Sequence, residues 1–528
     1  MSTAEPSDPF ALELSSDQLD PSRATGLSLP GGIPDLAELT AMAQRLFGEL
    51  GAELAVSSPE LAAVAIPGAD HSSAPQLDIG NQLHDPTSSL RLDPTQLEAV
   101  SSRTDPQPLS WPAAPASPQP LDPAHLRRDF PILQERINGH PLVWLDNGAT
   151  TQKPQAVIDR LAQFYRHENS NIHRGAHALA ARATDAYEQA RSVVGRFLNA
   201  GSSEEIVFVR GSTEAINLVA QSWGRREIHA GDEIVLTELE HHANIVPWQQ
   251  LVHETGARLR VAPVDDSGQV ILEEYERLFS SRTRLAAFTQ VSNALGTITP
   301  IESMIAIAHR HGARVLVDGA QGIAHTPVDV QALDADFYAF SGHKIYAPTG
   351  IGVLYGKREL LAAMPPWQGG GNMIRDVRFE RTLYQDPPHR FEAGTGNIAD
   401  AVGLATALEY VSRIGMHAIE REEQALLAYA TPLLQDISGL RLFGCASHKA
   451  GVLSFTLEGC APEAVGSALN RQGIAVRAGH HCAQPILRRF GVESTVRATF
   501  ALYNTRADVD ALVAGLRSIR AQGASLLR

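Results

Sequence analysis

From about residue 123 onward the chain alternates short apolar runs with segments whose apolar residues recur at three- and four-residue spacing. Runs of β-forming residues divided by helical periods fold most readily as strands joined by crossover helices, which gives an α/β fold with a largely parallel sheet. The strand candidates are EEIVFVR (204–210), DEIVLTE (232–238), RLAAFTQVSN (284–293), RVLVDGAQ (314–321), DFYAFSGHK (336–344) and GIGVLYG (350–356). Helical stretches such as TEAINLVAQSWG and IESMIAIAHRHG lie between them. After about residue 410 a long helical stretch, EYVSRIGMHAIEREEQALLAYATPLL, leads into shorter strands and a final helix, DVDALVAGLRSIRA. The expected organisation is therefore a large domain over 123–410, its first residues packing on a smaller C-terminal α+β domain over 411–528. No internal repeat is visible.

Residues 1–122 have a different texture, dense in Ser, Pro, Ala and Asp and ending in DPQPLSWPAAPASPQPLDP. Such a composition buries too little apolar surface to offset chain entropy, so it reads as a mostly disordered extension. The exception is 33–50, where Leu36, Leu39, Met42, Leu46 and Leu50 follow a Pro-Asp start at helical spacing. This is an amphipathic helix that either packs on its own enzyme or docks another protein. The formal net charge is −15 and the basic residues form no long run, which argues against nucleic acid as a partner. The start MSTAEPSDPF has neither a basic nor an apolar stretch, and no window approaches the roughly 18 apolar residues of a membrane span. Three cysteines in 528 residues make no disulfide framework, so a soluble, cytoplasmic protein is expected.

In open α/β sheets ligands gather outside the carboxyl ends of the strands, and the polar residues that follow each strand here form a consistent set. Ser212 and Thr213 open a helix after the first run, offering backbone N–H groups and the positive dipole end to a phosphate. His241 and His242 follow the second run, Asn293 the third, Asp318 and Gln321 the fourth, and Ser341, His343 and Lys344 the fifth. Each has a plainer explanation alone: a helix cap, a loop carboxylate, a surface lysine. Together they place a phosphate cradle, a carboxylate and an amine on one rim. A carboxylate ending an apolar run is costly without a cationic partner, and a protonated pyridine nitrogen is such a partner. A partly desolvated amine loses its proton readily and can condense with an aldehyde.

The segments LDNGAT (145–150), RGSTEAINLVA (210–220), EHHANIVPWQ (240–249), VSNALGT (291–297), VDGAQ (317–321), FSGHKIYAPTGIGVLYG (340–356), FEAGTGN (391–397) and RAGHHCAQP (477–485) resemble the class V aminotransferase family. Within it they are most similar to the SufS-type (group II) cysteine desulfurases of iron–sulfur cluster assembly. The resemblance covers about 125–520 and leaves the amino-terminal extension outside it. It implies the type I architecture of pyridoxal 5'-phosphate (PLP) enzymes, with a mainly parallel seven-stranded sheet and a homodimer. It further implies that Lys344 carries PLP, Asp318 meets the ring nitrogen, Gln321 meets the ring hydroxyl and His241 stacks on the ring and assists proton transfer. Ser212, Thr213, Ser341 and His343 would bind the phosphate, Thr395 would reach a phosphate across the dimer interface, and Asn293 would contact cofactor or substrate.

RAGHHCAQP carries the second chemical feature, because Cys482 follows two histidines and lies near Arg477, neighbours of the kind that favour a nucleophilic thiolate. Cys445 and Cys460 lack such neighbours and read as inert. A zinc site at His480, His481 and Cys482 is disfavoured, since adjacent histidines rarely face one ion and no second ligand pair follows. No metal is expected. Arg497, in VRATFALYN, offers the planar fork that a substrate carboxylate needs, and the resemblance puts the carboxylate anchor there, with Arg477 close to it. The implied reaction converts L-cysteine to L-alanine and leaves a persulfide on Cys482 for a SufE- or SufU-like acceptor. Selenocysteine lyase activity, aminotransfer, and a sulfur-relay scaffold recruiting its acceptor through the extension are the alternatives.

Overall fold

The computed structural model describes residues 121–173 and 175–522, so the helix expected over 33–50 lies outside the described residues. The larger sheet has seven strands: β1 (Ile206–Val209), β2 (Glu233–Thr237), β3 (Arg258–Ala262), β4 (Thr283–Thr289), β5 (Arg314–Asp318), β6 (Phe337–Ser341) and β7 (Gly352–Gly356). Their spatial order is β1-β7-β6-β5-β4-β2-β3. Every pairing from β6 to β3 is parallel, while β7 runs against both β6 and β1. Six strands thus point the same way, and their carboxyl ends share one rim. The β1, β2, β6 and β7 residues are all buried, as strands covered by helices on both faces must be, which is why these segments read as continuous apolar runs.

The strand missed in the sequence is β3. It is an edge strand with the sequence RLRVA, partly exposed, so its arginines break the apolar run that marks the buried strands. Helices fill the connections: α1 (Gln155–His167), α2 (Ala178–Phe197), α3 (Ser212–Val219), α4 (Val246–Thr255) between β2 and β3, and α5 (Ile301–Arg310) between β4 and β5.

The long helical stretch read from residue 409 is corrected by the structure into two helices. The first, α6 (Ile398–Ile414), begins earlier than expected and packs on α1 and α2; the second is α7 (Met416–Gln435). Gly415 between them has φ +92°, a backbone conformation that residues with a Cβ rarely adopt, so the chain turns there and a new helix starts. Helical spacing continues through the turn, which is why the break was invisible. Residue 410 falls inside α6.

Downstream, β8 (Leu440–Phe443), β9 (Val452–Leu457), β10 (Arg477–Gly479) and β11 (Thr495–Thr499) form an antiparallel sheet in the order β8-β9-β11-β10. It shares an apolar core with α7, α8 (Pro462–Asn470) and α9 (Arg506–Gln522), in which Leu426, Leu434, Phe455, Leu469, Val496 and Leu512 are buried. The entry to the folded region reaches this sheet: Val143 and Trp144 pair with Ile474 and Ala475, and Asp146 bridges to Thr499. Asp146 is thereby carried to the neighbourhood of Arg477 and Arg497.

Candidate active site

The strand ends on the shared rim converge as the sequence predicts. Ser212, His241, Asn293, Asp318, Gln321 and Lys344 line one cleft, with Thr289, Val291 and Ala320 completing its wall. At the end of β1, Gly211 leads into α3, and the Ser212 N–H donates to Ser341 Oγ at 2.9 Å while that hydroxyl lies 3.1 Å from Ser212 Oγ. The turn is tight because β7 starts beside it. A Cβ on Gly352 would stand 2.4 Å from Gly211 Cα, so only glycine allows the approach. Thr213 is exposed in the first turn of the same helix.

Asp318 closes β5 and is 3% exposed. Its side chain accepts one hydrogen bond, from the Ala320 N–H at 3.0 Å. Burial raises its pKa, with the Ala320 N–H and Lys344 pulling the other way. The carboxylate is thus short of partners. Lys344 follows β6, and its Nζ stands 3.5 Å from Gln321 Oε1. Burial lowers its pKa to about 8, opposed by Asp318 and reinforced by Arg497. An amine held there keeps a large neutral fraction near physiological pH, which is what nucleophilic attack on an aldehyde needs.

His241 is held neutral. Its pKa falls to about 3 through burial and the positive charges of Lys344 and its neighbours. The Ala243 N–H donates to its Nδ1 at 3.0 Å, so the ring proton sits on Nε2. The preceding Glu240, fully buried, accepts from Thr237 Oγ1 (2.6 Å), Asn244 Nδ2 (2.7 Å) and the Thr289 N–H (3.2 Å), which ties the histidine turn to β2 and β4. His343 sits beside Lys344, and burial lowers its pKa to about 4. Its carbonyl accepts from the Thr151 N–H at 3.0 Å and from Thr150 Oγ1 at 3.0 Å, contacts that the sequence did not suggest.

Behind Asn293, Arg497 in β11 is 3% exposed and donates through NH1 to the Asn293 carbonyl at 2.7 Å. Its NH2 lies 3.6 Å from Asp146, and its Nε–H has no partner. Burial lowers even this guanidinium to about 10. Arg477 pairs with the other Asp146 oxygen at 2.7 Å, so one carboxylate organises both arginines. Asp146 lies in LDNGAT, yet only the tertiary pairing of that segment with β11 reveals the role.

The Cys482 loop comes to the same cleft. His481 and Cys482 have φ of +51° and +53°, consecutive left-handed conformations that cost energy in residues with side chains. Surrounding bonds hold them: the His242 N–H donates to the Cys482 carbonyl at 2.8 Å, Asn293 Nδ2 to the His481 carbonyl at 2.6 Å, and the Cys482 N–H to His480 Nδ1 at 3.0 Å. His242 also stacks on His480, with ring centroids 5.8 Å apart, and its Nε2 accepts from the Gln484 N–H. Cys482 itself is exposed and lies within electrostatic range of Lys344 and Arg497. His481 points elsewhere, its Nε2 2.8 Å from Thr495 Oγ1. The loop histidines thus divide the work, His480 with His242 shaping the turn and His481 anchoring it. His242 was noted in the sequence without a role.

Thr395 is exposed, with its hydroxyl 3.5 Å from Asn171 Oδ1, and does not line the cleft within one chain. Cys445 is exposed and Cys460 partly buried, both free thiols. Among the described residues, His173, Glu188 and His389 bring potential metal-ligand atoms within 4.8 Å of one another. Arg191 also binds that glutamate at 2.9 Å, which opposes a cation there.

The cleft suits PLP on its own geometry: an amine, an underpartnered buried carboxylate, a side-chain oxygen of Asn293 without a partner, and a helix start beside two hydroxyls. A seven-stranded, mostly parallel sheet bearing that set on one rim defines the class of type I PLP-dependent enzymes. Residues 143–512 match the class V aminotransferase family, and the chain belongs to that family. It is 68% identical over 400 residues to a cysteine desulfurase of Synechococcus elongatus, an alignment covering 76% of this chain and 64% of that protein. Against a cysteine desulfurase of Dickeya dadantii it is 54% identical over 406 residues, covering 77% of this chain and 98% of the relative. The crystal structure of the cysteine desulfurase CsdA from Escherichia coli superposes with a TM-score of 0.71 at 43% identity, covering 76% of this chain and 98% of that one. The chain thus spans less than two thirds of the Synechococcus relative's length. PLP is the cofactor expected for the class V aminotransferase family.

Proposed function

We propose that this chain is a PLP-dependent cysteine desulfurase that releases L-alanine from L-cysteine and carries the sulfur away as a persulfide on Cys482. One observation supports it above the others: Arg497 and the strained Cys482 turn are both bonded to Asn293, which lines the cleft with Lys344, and both lie within electrostatic range of that lysine. In this reading Lys344 holds the cofactor, Asp318 keeps its ring nitrogen protonated, Gln321 meets its ring hydroxyl and neutral His241 stacks on it. Ser212, Thr213, Ser341 and His343 bind its phosphate. When bound, PLP supplies an electron sink that acidifies the Cα–H of an amino acid joined to it.

The chain's own residues do the rest. Arg497, with its spare Nε–H, binds the substrate carboxylate and fixes which bond at Cα faces Lys344. The Lys344 amine, about half neutral near pH 8, takes the Cα proton. Cys482 then attacks the substrate sulfur. An S–S bond forms as the Cβ–S bond breaks, the electron pair of the broken bond stays with the carbon fragment, and that fragment gains a proton and leaves as L-alanine. His241, with its proton on Nε2, assists the transfers on the cofactor face.

The same reading makes the protein a cytoplasmic homodimer supplying iron–sulfur cluster assembly through a SufE- or SufU-like acceptor. Among the described residues no helix is long and apolar enough to cross a membrane. Support for a second copy comes from the hairpin Ile374–Arg378 and Arg381–Tyr384, where Val377, Phe379, Leu383 and Tyr384 are exposed, together with exposed Thr395. The division into a large domain from 123 and a smaller C-terminal domain is drawn at the Gly415 turn, since residue 410 falls inside α6.

Replacing Cys482 with Ala tests the assignment. PLP absorption should persist while sulfide release from L-cysteine under reducing conditions falls to background. Full sulfide release by that variant would remove Cys482 from the reaction, and retained activity on L-selenocysteine alone would favour the lyase reading.

A further inference from the structure

Behind the cleft lies a buried pair that the reaction above does not use. One helical turn, Gly322–His325, follows Gln321, so His325 comes round to the same side as Gln321. Gln321 Nε2 is 3.1 Å from His325 Nε2, and His325 Nδ1 is 2.6 Å from Glu423 Oε2 on α7. The histidine and glutamate side chains are 4% and 2% exposed, and Glu423 Oε1 has no partner. A continuous path thus runs from Glu423 through His325 and Gln321 to the Lys344 amine 3.5 Å further on.

The donors and acceptors along this path admit one consistent arrangement. An amide nitrogen only donates, so His325 Nε2 accepts and its single proton lies on Nδ1, directed at Glu423. The Gln321 carbonyl then faces the Lys344 amine, and the second amide N–H is left for an acceptor in the cleft. With protons on both ring nitrogens, His325 would force the amide to turn over and set an N–H against Lys344. The carboxyl of Glu423 is therefore what keeps the amide the right way round.

We propose that His325 and Glu423 are positioning residues which, through the His325 tautomer, fix the orientation of the Gln321 amide and so set how tightly the Lys344–cofactor linkage holds its proton. The inference rests on the PLP reading given above. The charged and titratable groups around the path are Asp318, Arg497, His241 and Cys482 near Lys344, and Glu420, Tyr346 and Tyr503 near Glu423. Lys344, Tyr346 and Tyr503 stand on elements other than those bearing His325 and Glu423, so substitution of the pair leaves these side chains in place.

The test uses the full chain loaded with PLP and follows visible absorbance as a function of pH. Glu423→Gln and His325→Phe should each bind PLP at the parent stoichiometry and raise the midpoint of the absorbance change by about 0.5 to 1 unit, the size expected for one lost hydrogen bond to the cofactor's ring oxygen. Glu423→Asp, which keeps a carboxyl, should return the midpoint toward the parent value. In a Gln321→Leu background, Glu423→Gln should cause no further shift. Parent midpoints in both single variants, even with a lowered melting temperature, would overturn the proposal. So would an equal shift with Gln321 already removed, and this arm still decides the matter if His325→Phe fails to fold. Failure of the parent chain to take up PLP would strike the functional reading instead.

Discussion

Replacing Arg497 with lysine keeps the positive charge but removes the fork. In the parent, NH1 is committed to the Asn293 carbonyl at 2.7 Å, which also steadies the residue gripping the Cys482 loop, and the buried Nε–H is unpaired. A single ammonium on a different stem can serve the carbonyl or the substrate carboxylate with good geometry, not both. The loss is one charge-assisted hydrogen bond, about 1.5–3 kcal/mol, or roughly 10- to 150-fold in kcat/KM for L-cysteine. Because the carboxylate is unchanged during the reaction, the interaction is equally strong in ground and transition states and its loss should appear mainly in KM. Asp146 retains Arg477 at 2.7 Å, so the wall should survive, with a melting temperature within a few degrees of the parent. Steady-state alanine formation read beside a thermal melt is the assay. A kcat/KM within threefold of the parent, or a fall confined to kcat, would refute the assignment of Arg497 as carboxylate anchor.

Stripped of cofactor, the chain should recombine with PLP at a rate that rises with pH and levels off just above about 8, because burial lowers the Lys344 pKa and only the neutral amine attacks the aldehyde. A rate still climbing above pH 10 would show a solvated lysine instead. Gly352→Ala should lower stability by about 1–3 kcal/mol, since the added Cβ meets Gly211 Cα at 2.4 Å, and should weaken PLP affinity by displacing Ser212. Parent stability and affinity together would show that the turn yields without cost.

The sequence could be read well wherever a local signal carries the answer. Buried strands give continuous apolar runs because both faces are covered, so all but the arginine-bearing edge strand β3 could be placed, and with them the rim residues that follow each strand. Lys344 and Asp318 stood out for the same reason, as polar groups ending apolar runs, while Cys482 stood out through its histidine neighbours, Arg477 and the resemblance that RAGHHCAQP carries. The turn at Gly415 did not, because helical spacing continues across it and a single glycine carries too little information to mark a break.

What only the tertiary structure decided is which distant groups finish the job. Asp146 reaches the two arginines because the entry segment adds to the C-terminal strands, and Glu423 reaches His325 because α7 packs against the helical turn Gly322–His325. His242 and Asn293 hold the Cys482 turn from the segments that follow β2 and β4, far earlier in the chain. A sequence specifies each residue's chemistry and its local period, but a hydrogen bond between residues more than three hundred positions apart, such as that of Arg477 to Asp146, exists only once packing has fixed both ends.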